Sequence, residues 1–301
     1  MIIKSPIDLE LTQLSGQTSQ PPWKRVDDSF KEVVIVNEKP VLFEVKQSGD
    51  CLDFDFRGDV SKNEAISKLK YIYDLDFDLN KFYKYLQSHS ELEEMSEFCN
   101  GLRLFLAKDK FECIISSICS ANNSIKRWTK SACDMKEKWG NNYFNDYYTF
   151  PDKSKFQDIF EDDEEESLFC ENPCGNNLKS CGVGYRAPYM KKASQLFTLE
   201  MDLSEIPKMS YEEAFETILK VPGVGPKVAD CILLYGFDFK QAFPSDVWIK
   251  RIVSYLYFDG KDISVSKVRE FGMEEFGDYA GYVQLYMFHY ARMSGLMKRL
   301  K

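Results

Sequence analysis

Apolar residues are spaced in two different ways along this chain. Between Glu32 and Phe56 they fall on alternate positions. Glu32–Asn37 is a β-branched run, Lys39-Pro40 follows a turn, and Val41, Phe43 and Val45 alternate with more polar neighbours. Beyond Ser48-Gly49-Asp50 the alternation resumes, with Leu52, Phe54 and Phe56 set against Asp53 and Asp55. A repeat of two sends successive side chains to opposite faces, so antiparallel strands with one wet face are expected here. From about Glu91 onward the pattern becomes that of amphipathic helices broken by Gly, Asn and Pro. Phe111–Cys119 reads as an apolar helix stopped at Asn122-Asn123. Ile125–Trp139, basic at its start through Lys126, Arg127 and Lys130, runs to Gly140, and Tyr279–Tyr290 is an aromatic-rich helix. The expected class is α+β, mainly α, with an antiparallel β domain over residues 1–90 and a helical domain over 91–301.

Composition narrows the picture. A chain of 301 residues with 44% hydrophobic content is long enough for one large or two modest domains with a real core. It has no apolar run approaching the ~18 residues of a membrane span, so no membrane partner is expected. The opening MIIKSPIDLELTQ carries acids early and lacks a long apolar core, which argues against a secretory signal. An intracellular protein is expected, in the cytoplasm or nucleoid of a prokaryote or the nucleus of a eukaryote. Nine cysteines, an odd number, are scattered between Cys51 and Cys231, so reduced thiols are expected. Cys170, Cys174 and Cys181 crowd together, but three thiols without a nearby histidine fall one ligand short of an ordinary zinc site. The net charge of −9 is unusual for a protein that meets phosphates. From Gly175 onward the chain is close to charge-balanced, and part of the acidic excess sits in Glu161–Glu166, expected to be a solvated loop.

The densest chemistry lies in Val221–Asp246, VPGVGPKVADCILLYGFDFKQAFPSD. Gly223 and Gly225 are expected to take positive φ and leave backbone N–H groups at a helix N-terminus, which makes an anion site suited to a phosphodiester. Lys227 falls just inside that helix beside Val228, Ile232 and Leu233, where the dipole and desolvation would both disfavour its charged form and so activate it as a nucleophile. Asp246, after Pro244-Ser245, opens the next helix as cap and as negative charge. Elsewhere, GVGYRAPY sets Tyr185 and Arg186 on a Gly-flanked loop, and Gln284 and Phe288, four apart, share one helix face. Each feature also has an ordinary reading: a common turn, a solvated lysine, a plain cap, a packed inter-helix loop and an aromatic core stripe.

The joint spacing of hairpin, lysine and aspartate resembles the helix-hairpin-helix plus Gly/Pro-rich loop plus aspartate signature of the DNA glycosylases. VPGVGPKVADC and PSDV resemble the 8-oxoguanine DNA glycosylase branch. The resemblance implies a small antiparallel β domain packed on two all-helical lobes, a helix-hairpin-helix at about 213–235, and duplex DNA crossing the groove between the lobes. It implies a bifunctional glycosylase/lyase in which Lys227 attacks C1′ and forms a Schiff base that permits β-elimination, while Asp246 stabilises the cationic sugar. By the match of CSANNSIKR, Asn122 fills the space of the flipped base and Arg127 hydrogen-bonds the base left opposite. Tyr185 and Arg186 take the wedge roles, Gln284 and Phe288 grip the extruded base, and Cys231 borders its pocket. Gly16 takes the place of the glycine whose carbonyl meets N7–H of 8-oxoguanine, although Gly16-Gln17-Thr18 is followed by an apparent insertion, Ser19-Gln20-Pro21-Pro22-Trp23.

The resemblance further implies that backbone carbonyls of Leu219, Val221 and Val224 order a structural cation, monovalent or divalent, with no cofactor for catalysis. No cysteine follows Cys231, so no iron–sulfur cluster is expected. Trp248 departs from the histidine frequently found two residues after the aspartate. The implied partner is double-stranded DNA containing oxidised guanine, met by a monomer. A glycosylase/lyase for another damaged base and a non-catalytic helix-hairpin-helix DNA-binding module remain as alternatives.

Overall fold

The computed structural model describes residues 1–16, 20–170 and 174–296. Five antiparallel strands, β1 (Ile2–Lys4), β2 (Lys24–Val26), β3 (Ser29–Val36), β4 (Lys39–Ser48) and β5 (Cys51–Arg57), form one sheet in the order β1-β5-β4-β3-β2. Asn37 and Glu38 both take positive φ between β3 and β4, the two-residue turn whose twist suits a tight hairpin. Val41, Phe43 and Val45 of β4 and Leu52 and Phe54 of β5 are buried on the inner face, as the alternation requires. The outer face of β4 and β5 is wet, but that of β3 is covered in part. Val33 is buried there. Glu32 lies on the inner face opposite Phe43 and is buried with Lys136 of the Ile125–Trp139 helix reaching both of its oxygens, at 2.5 and 2.6 Å.

Residues 1–90 also hold two helices that strand alternation does not announce, Lys62–Ile72 and Leu79–Gln87. The first starts at a capping box between Ser61 and Glu64 and packs Ala65, Leu69 and Ile72 onto the sheet. The second packs Leu79, Phe82 and Leu86 into the helical core. Arg103 fastens the first strand's exit to that core, its buried guanidinium donating to the carbonyls of Pro6, Asp74 and Phe77 and to Ser5 Oγ. Among the described residues no helix is long and apolar enough to cross a membrane.

The remaining helices include Lys110–Ser120, Ile125–Trp139, Ala187–Leu199, Tyr211–Leu219, Pro226–Cys231, Val247–Tyr257, Val265–Phe276 and Ala280–Met293. The acidic run corrects an expectation, because it is not a free solvated loop. Asp162 caps a short helix, Asp163–Ser167, and Glu166 is fully buried. Its carboxylate accepts from Asn177 Nδ2 and from the N–H groups of Cys174 and Asn176 at 2.8–3.0 Å, which lowers its pKa to about 2. An irregular loop has no strand partner for its N–H groups, so a carboxylate supplies the acceptors. Cys170, Cys174 and Cys181 flank this loop as free thiols, and among the described residues no cluster of three or more His, Cys, Asp or Glu is placed to hold a metal.

Candidate active site

The helix-hairpin-helix begins at Ser210, whose hydroxyl and the Glu213 carboxylate cap each other's backbone at the start of Tyr211–Leu219. The turn closes with Val224 N–H donating to the Val221 carbonyl at 3.1 Å. Gly223 takes φ +82°, and a Cβ there would lie 2.8 Å from the Tyr189 side chain, so both backbone and space demand glycine. Gly225 is different. It is the N-cap of Pro226–Cys231 at φ −102° and ψ 178°, extended rather than left-handed as expected, and a Cβ there would meet nothing within 4 Å. Pro226 fills the first helical position, where its missing N–H costs no hydrogen bond. Lys227 follows, and the helix widens into a π turn over Ile232–Gly236.

A buried triad that was not anticipated locks this hairpin. Asp230, fully buried three residues beyond Lys227, accepts from Arg269 Nε at 2.7 Å and from the Tyr211 hydroxyl, while Arg269 Nη2 lies 2.6 Å from that hydroxyl. Arg269 therefore ties both hairpin helices to Val265–Phe276, and it also stacks on Phe215 at 4.1 Å. Burial raises the Asp230 pKa, with Arg269 and Tyr211 opposing. The available signal was an aspartate in an otherwise apolar helix, which at that depth requires a partner.

A cavity of about 740 Å³ opens beside the hairpin turn. Gly16, Asn122, Gly223, Gly225, Lys227, Cys231, Asp246 and Phe288 all line it, drawn together from well-separated parts of the chain. Asp246 caps Val247–Tyr257 with Oδ1 alone, which accepts from Trp248 N–H at 2.8 Å and Ile249 N–H at 2.9 Å. One oxygen thus serves the helix, and Oδ2 is left for the cavity. Lys227 is half-buried and hydrogen-bonded to the Cys231 sulfur one turn along.

The Lys227 pKa is raised, which corrects the expected lowering. The Cys231 sulfur is the largest cause; desolvation opposes it, and the Asp246 and Asp230 carboxylates add to it. Burial pushes the Cys231 thiol up as well. The desolvation expected from the sequence is present, but acceptors from a neighbouring turn and another segment outweigh it.

Phe288 sits at the cavity wall with the Arg292 guanidinium 5.0 Å from its ring centroid. Gln284, one turn back, is buried behind the wall and donates Nε2 to the Pro244 carbonyl at 2.9 Å, bracing the segment that delivers Asp246. Leu219 ends the first hairpin helix, with Val221 and Val224 in the turn.

On the other side, Asn122 is exposed at φ +50°, in the left-handed region that asparagine tolerates better than most residues. Arg186 holds it there. This buried guanidinium donates to the Ala121 carbonyl through Nε at 2.8 Å, to Asn122 through Nη2 at 3.1 Å and to Val183 through Nη1 at 3.2 Å. Tyr185 is exposed and stacks over it at 4.4 Å. Arg127 is exposed in the first turn of Ile125–Trp139 and does not line the cavity. Gly16 takes φ +73°, and a Cβ there would strike Ile125 Cδ1 at 2.5 Å. Gln17, Thr18 and Ser19 lie outside the described residues.

Comparison with known proteins agrees with this geometry. Residues 1–114 match the family described as "8-oxoguanine DNA glycosylase, N-terminal domain", and residues 115–277 match "HhH-GPD superfamily base excision DNA repair protein". The chain is 45% identical to the "Probable N-glycosylase/DNA lyase" of Methanothermobacter thermautotrophicus over 98% of this chain and 96% of that protein. It is 27% identical to the "N-glycosylase/DNA lyase" of Saccharomyces cerevisiae over 85% of this chain and 70% of that protein. Among solved structures, the Clostridium acetobutylicum 8-oxoguanine glycosylase/lyase bound to double-stranded DNA with cytosine opposite 8-oxoG is similar at a TM-score of 0.80. That match has 29% identity and covers 98% of each chain.

Proposed function

We infer, from a chain that belongs to the HhH-GPD superfamily of base excision DNA repair proteins and carries the N-terminal domain of the 8-oxoguanine DNA glycosylases, that its cleft removes 8-oxoguanine from duplex DNA and then nicks the strand. The observation that carries this is the opening of Lys227 and Asp246 into one cavity beside the hairpin turn, with Cys231 and Phe288 on its walls. Binding a duplex needs neither the lysine nor the aspartate in that position. Base removal followed by strand cleavage uses both.

Each residue has a defined task. An extruded base enters against Phe288 and Cys231 and displaces water from Lys227. That strengthens the desolvation already opposing its charge and helps the ammonium shed its proton. The Nζ lone pair then attacks C1′ as the glycosidic bond breaks; its electron pair leaves with the base, which takes up a proton. The developing positive charge on the sugar lies against Asp246 Oδ2, held in place because Oδ1 is fixed by two backbone N–H groups. Ring opening gives a protonated Schiff base that acidifies the C2′ proton, and its loss expels the 3′ phosphate. No cofactor enters these steps.

Several finer assignments are part of this proposal. Tyr185 and Asn122 enter the duplex, Arg127 meets the opposite base, and Gln284, its Nε2 held by the Pro244 carbonyl, turns its Oε1 to the Watson–Crick edge once the base is seated against Phe288. Arg186 acts through the Asn122 loop it holds, and Gly16 sets the N7 contact. At the hairpin, the Leu219, Val221 and Val224 carbonyls would hold a cation, whose charge would help draw in a DNA phosphate. Val221 already accepts one N–H, so its second lone pair would serve the ion. The protein works as a monomer on DNA containing oxidised guanine.

The test is borohydride trapping on duplexes carrying 8-oxoguanine, thymine glycol or mismatched adenine. Wild type should trap on the 8-oxoguanine duplex, and Lys227→Gln should abolish trapping and cleavage while lesion binding persists. Trapping only on another lesion would move the substrate, and undiminished trapping by Lys227→Gln would remove the lysine from the chemistry.

A further inference from the structure

Arg292 was not singled out in the sequence, yet it occupies the base cavity. It lies one turn beyond Phe288 on Ala280–Met293, half-buried, with its guanidinium 5.0 Å from the Phe288 ring centroid. Nη1 donates to the Ser15 carbonyl at 3.1 Å, and a Cβ on Gly16 would stand 3.3 Å from the same nitrogen. Among the described residues no carboxylate pairs with it in a salt bridge. Asp246 is the acidic group whose field reaches it. A guanidinium carries five N–H donors in a planar fork, and one of them is used by Ser15.

We propose that Arg292 is a specificity residue that reads the extruded base, donating to an oxygen on its Hoogsteen edge while anchoring the Ser15-Gly16 segment beside it. The proposal rests on the 8-oxoguanine reading above. On that edge 8-oxoguanine carries O6 and O8 as acceptors on either side of the N7–H donor. A donor-only fork satisfies an oxygen but cannot satisfy N7–H. That proton needs a carbonyl, and by taking up the Ser15 carbonyl Arg292 fixes the Gly16 backbone next along the chain. Guanine presents N7 as an acceptor, so the same fork alone would favour the undamaged base. Arginine and carbonyl acting together reverse that preference. A phosphate ligand fits less well, because the guanidinium packs on the aromatic wall against which the base stacks.

The experiment compares Arg292→Leu and Arg292→Lys with wild type in two single-turnover reactions, excision from an 8-oxoguanine·cytosine duplex and cleavage of the same duplex bearing a preformed abasic site. Losing a charged hydrogen bond in a closed pocket should slow excision about ten- to a hundredfold. Abasic cleavage should be unchanged, which also certifies the fold. Arg292→Lys keeps the charge without the fork and should recover part of the loss. Equal loss in both reactions, or in neither, would overturn the role of Arg292. Wild type that cleaves the abasic site but leaves 8-oxoguanine in place would instead overturn the substrate, and with it the proposal.

Discussion

The hairpin wall of the cleft and the wall facing it hold their residues in place by different means. From Tyr211 to Asp246, one stretch of chain positions Lys227 and Asp246 through helix caps, a left-handed Gly223 and a buried Asp230 fastened by Arg269. The facing wall is assembled from segments around Gly16, Asn122, Arg186 and Arg292, joined by guanidinium groups that donate to backbone carbonyls. The hairpin wall thus stands on rigid local geometry. The facing wall stands on long-range contacts that can be cut one at a time.

Cutting the chemistry itself should have the largest effect. Asn caps helices about as well as Asp, so Asp246→Asn should fold normally while base excision slows about a hundred- to a thousandfold. It should also move the pH profile. Only the neutral amine attacks and the folded pKa of Lys227 is raised, so the rate should climb with pH beyond neutrality. Removing Asp246, one of the charges that raise it, should shift that rising limb to lower pH. A slowed enzyme with an unmoved limb, in single-turnover rates across the neutral and alkaline range, would mean that Asp246 does not set the Lys227 titration.

Next comes the hairpin's anchor. Arg269→Ala strands the buried Asp230 carboxylate and should cost about 3–5 kcal/mol in denaturant titrations. A loss near the ~1 kcal/mol of an exposed pair would mean that Tyr211 alone satisfies the carboxylate. On the facing wall, Arg186→Ala leaves the Ala121 carbonyl unpaired and should cost about 1–3 kcal/mol. Its signature is a split: weaker binding to lesion duplexes, with Lys227 trapping retained at a preformed abasic site. Arg186→Lys should not rescue it, since one ammonium cannot match a planar fork spread over three carbonyls. If both measurements fall together, the two walls are coupled more tightly than their hydrogen bonds show.

The smallest effect should come from the second turn glycine. Gly223→Ala meets both a left-handed φ and the Tyr189 ring and should cost about 1–2 kcal/mol or more. Gly225→Ala meets no neighbour and should change stability by no more than about 0.5 kcal/mol. If Gly225→Ala nevertheless weakens DNA binding, the open space above it is where a phosphate approaches. Full affinity in that variant would put the phosphate elsewhere on the turn.

Strand alternation placed Val41, Phe43 and Val45 on the buried face, and the apolar period placed the Ile125–Trp139 helix, because both depend on neighbours a few residues away. The hairpin turn and the caps that place Lys227 and Asp246 were legible for the same reason. The two helices within residues 1–90 were missed where only strands were sought, although the Ser61 and Glu64 capping pair marks one of them. The acidic run misled because its composition says nothing of Glu166 facing inward to a loop that returns near Asn177.

The chain by itself determined the helical and sheet regions, the lysine and aspartate that frame the hairpin, and the family to which they belong. These follow from periodicity and from short-range spacing in one stretch. Tertiary structure alone decided that the Lys227 pKa is raised rather than lowered, that Gly225 is extended, that Arg186 serves carbonyls and that Arg292 shares a cavity with Phe288. Protonation and hydrogen-bond partnership depend on which groups arrive within a few ångströms from remote segments, and separation along the sequence does not encode that distance.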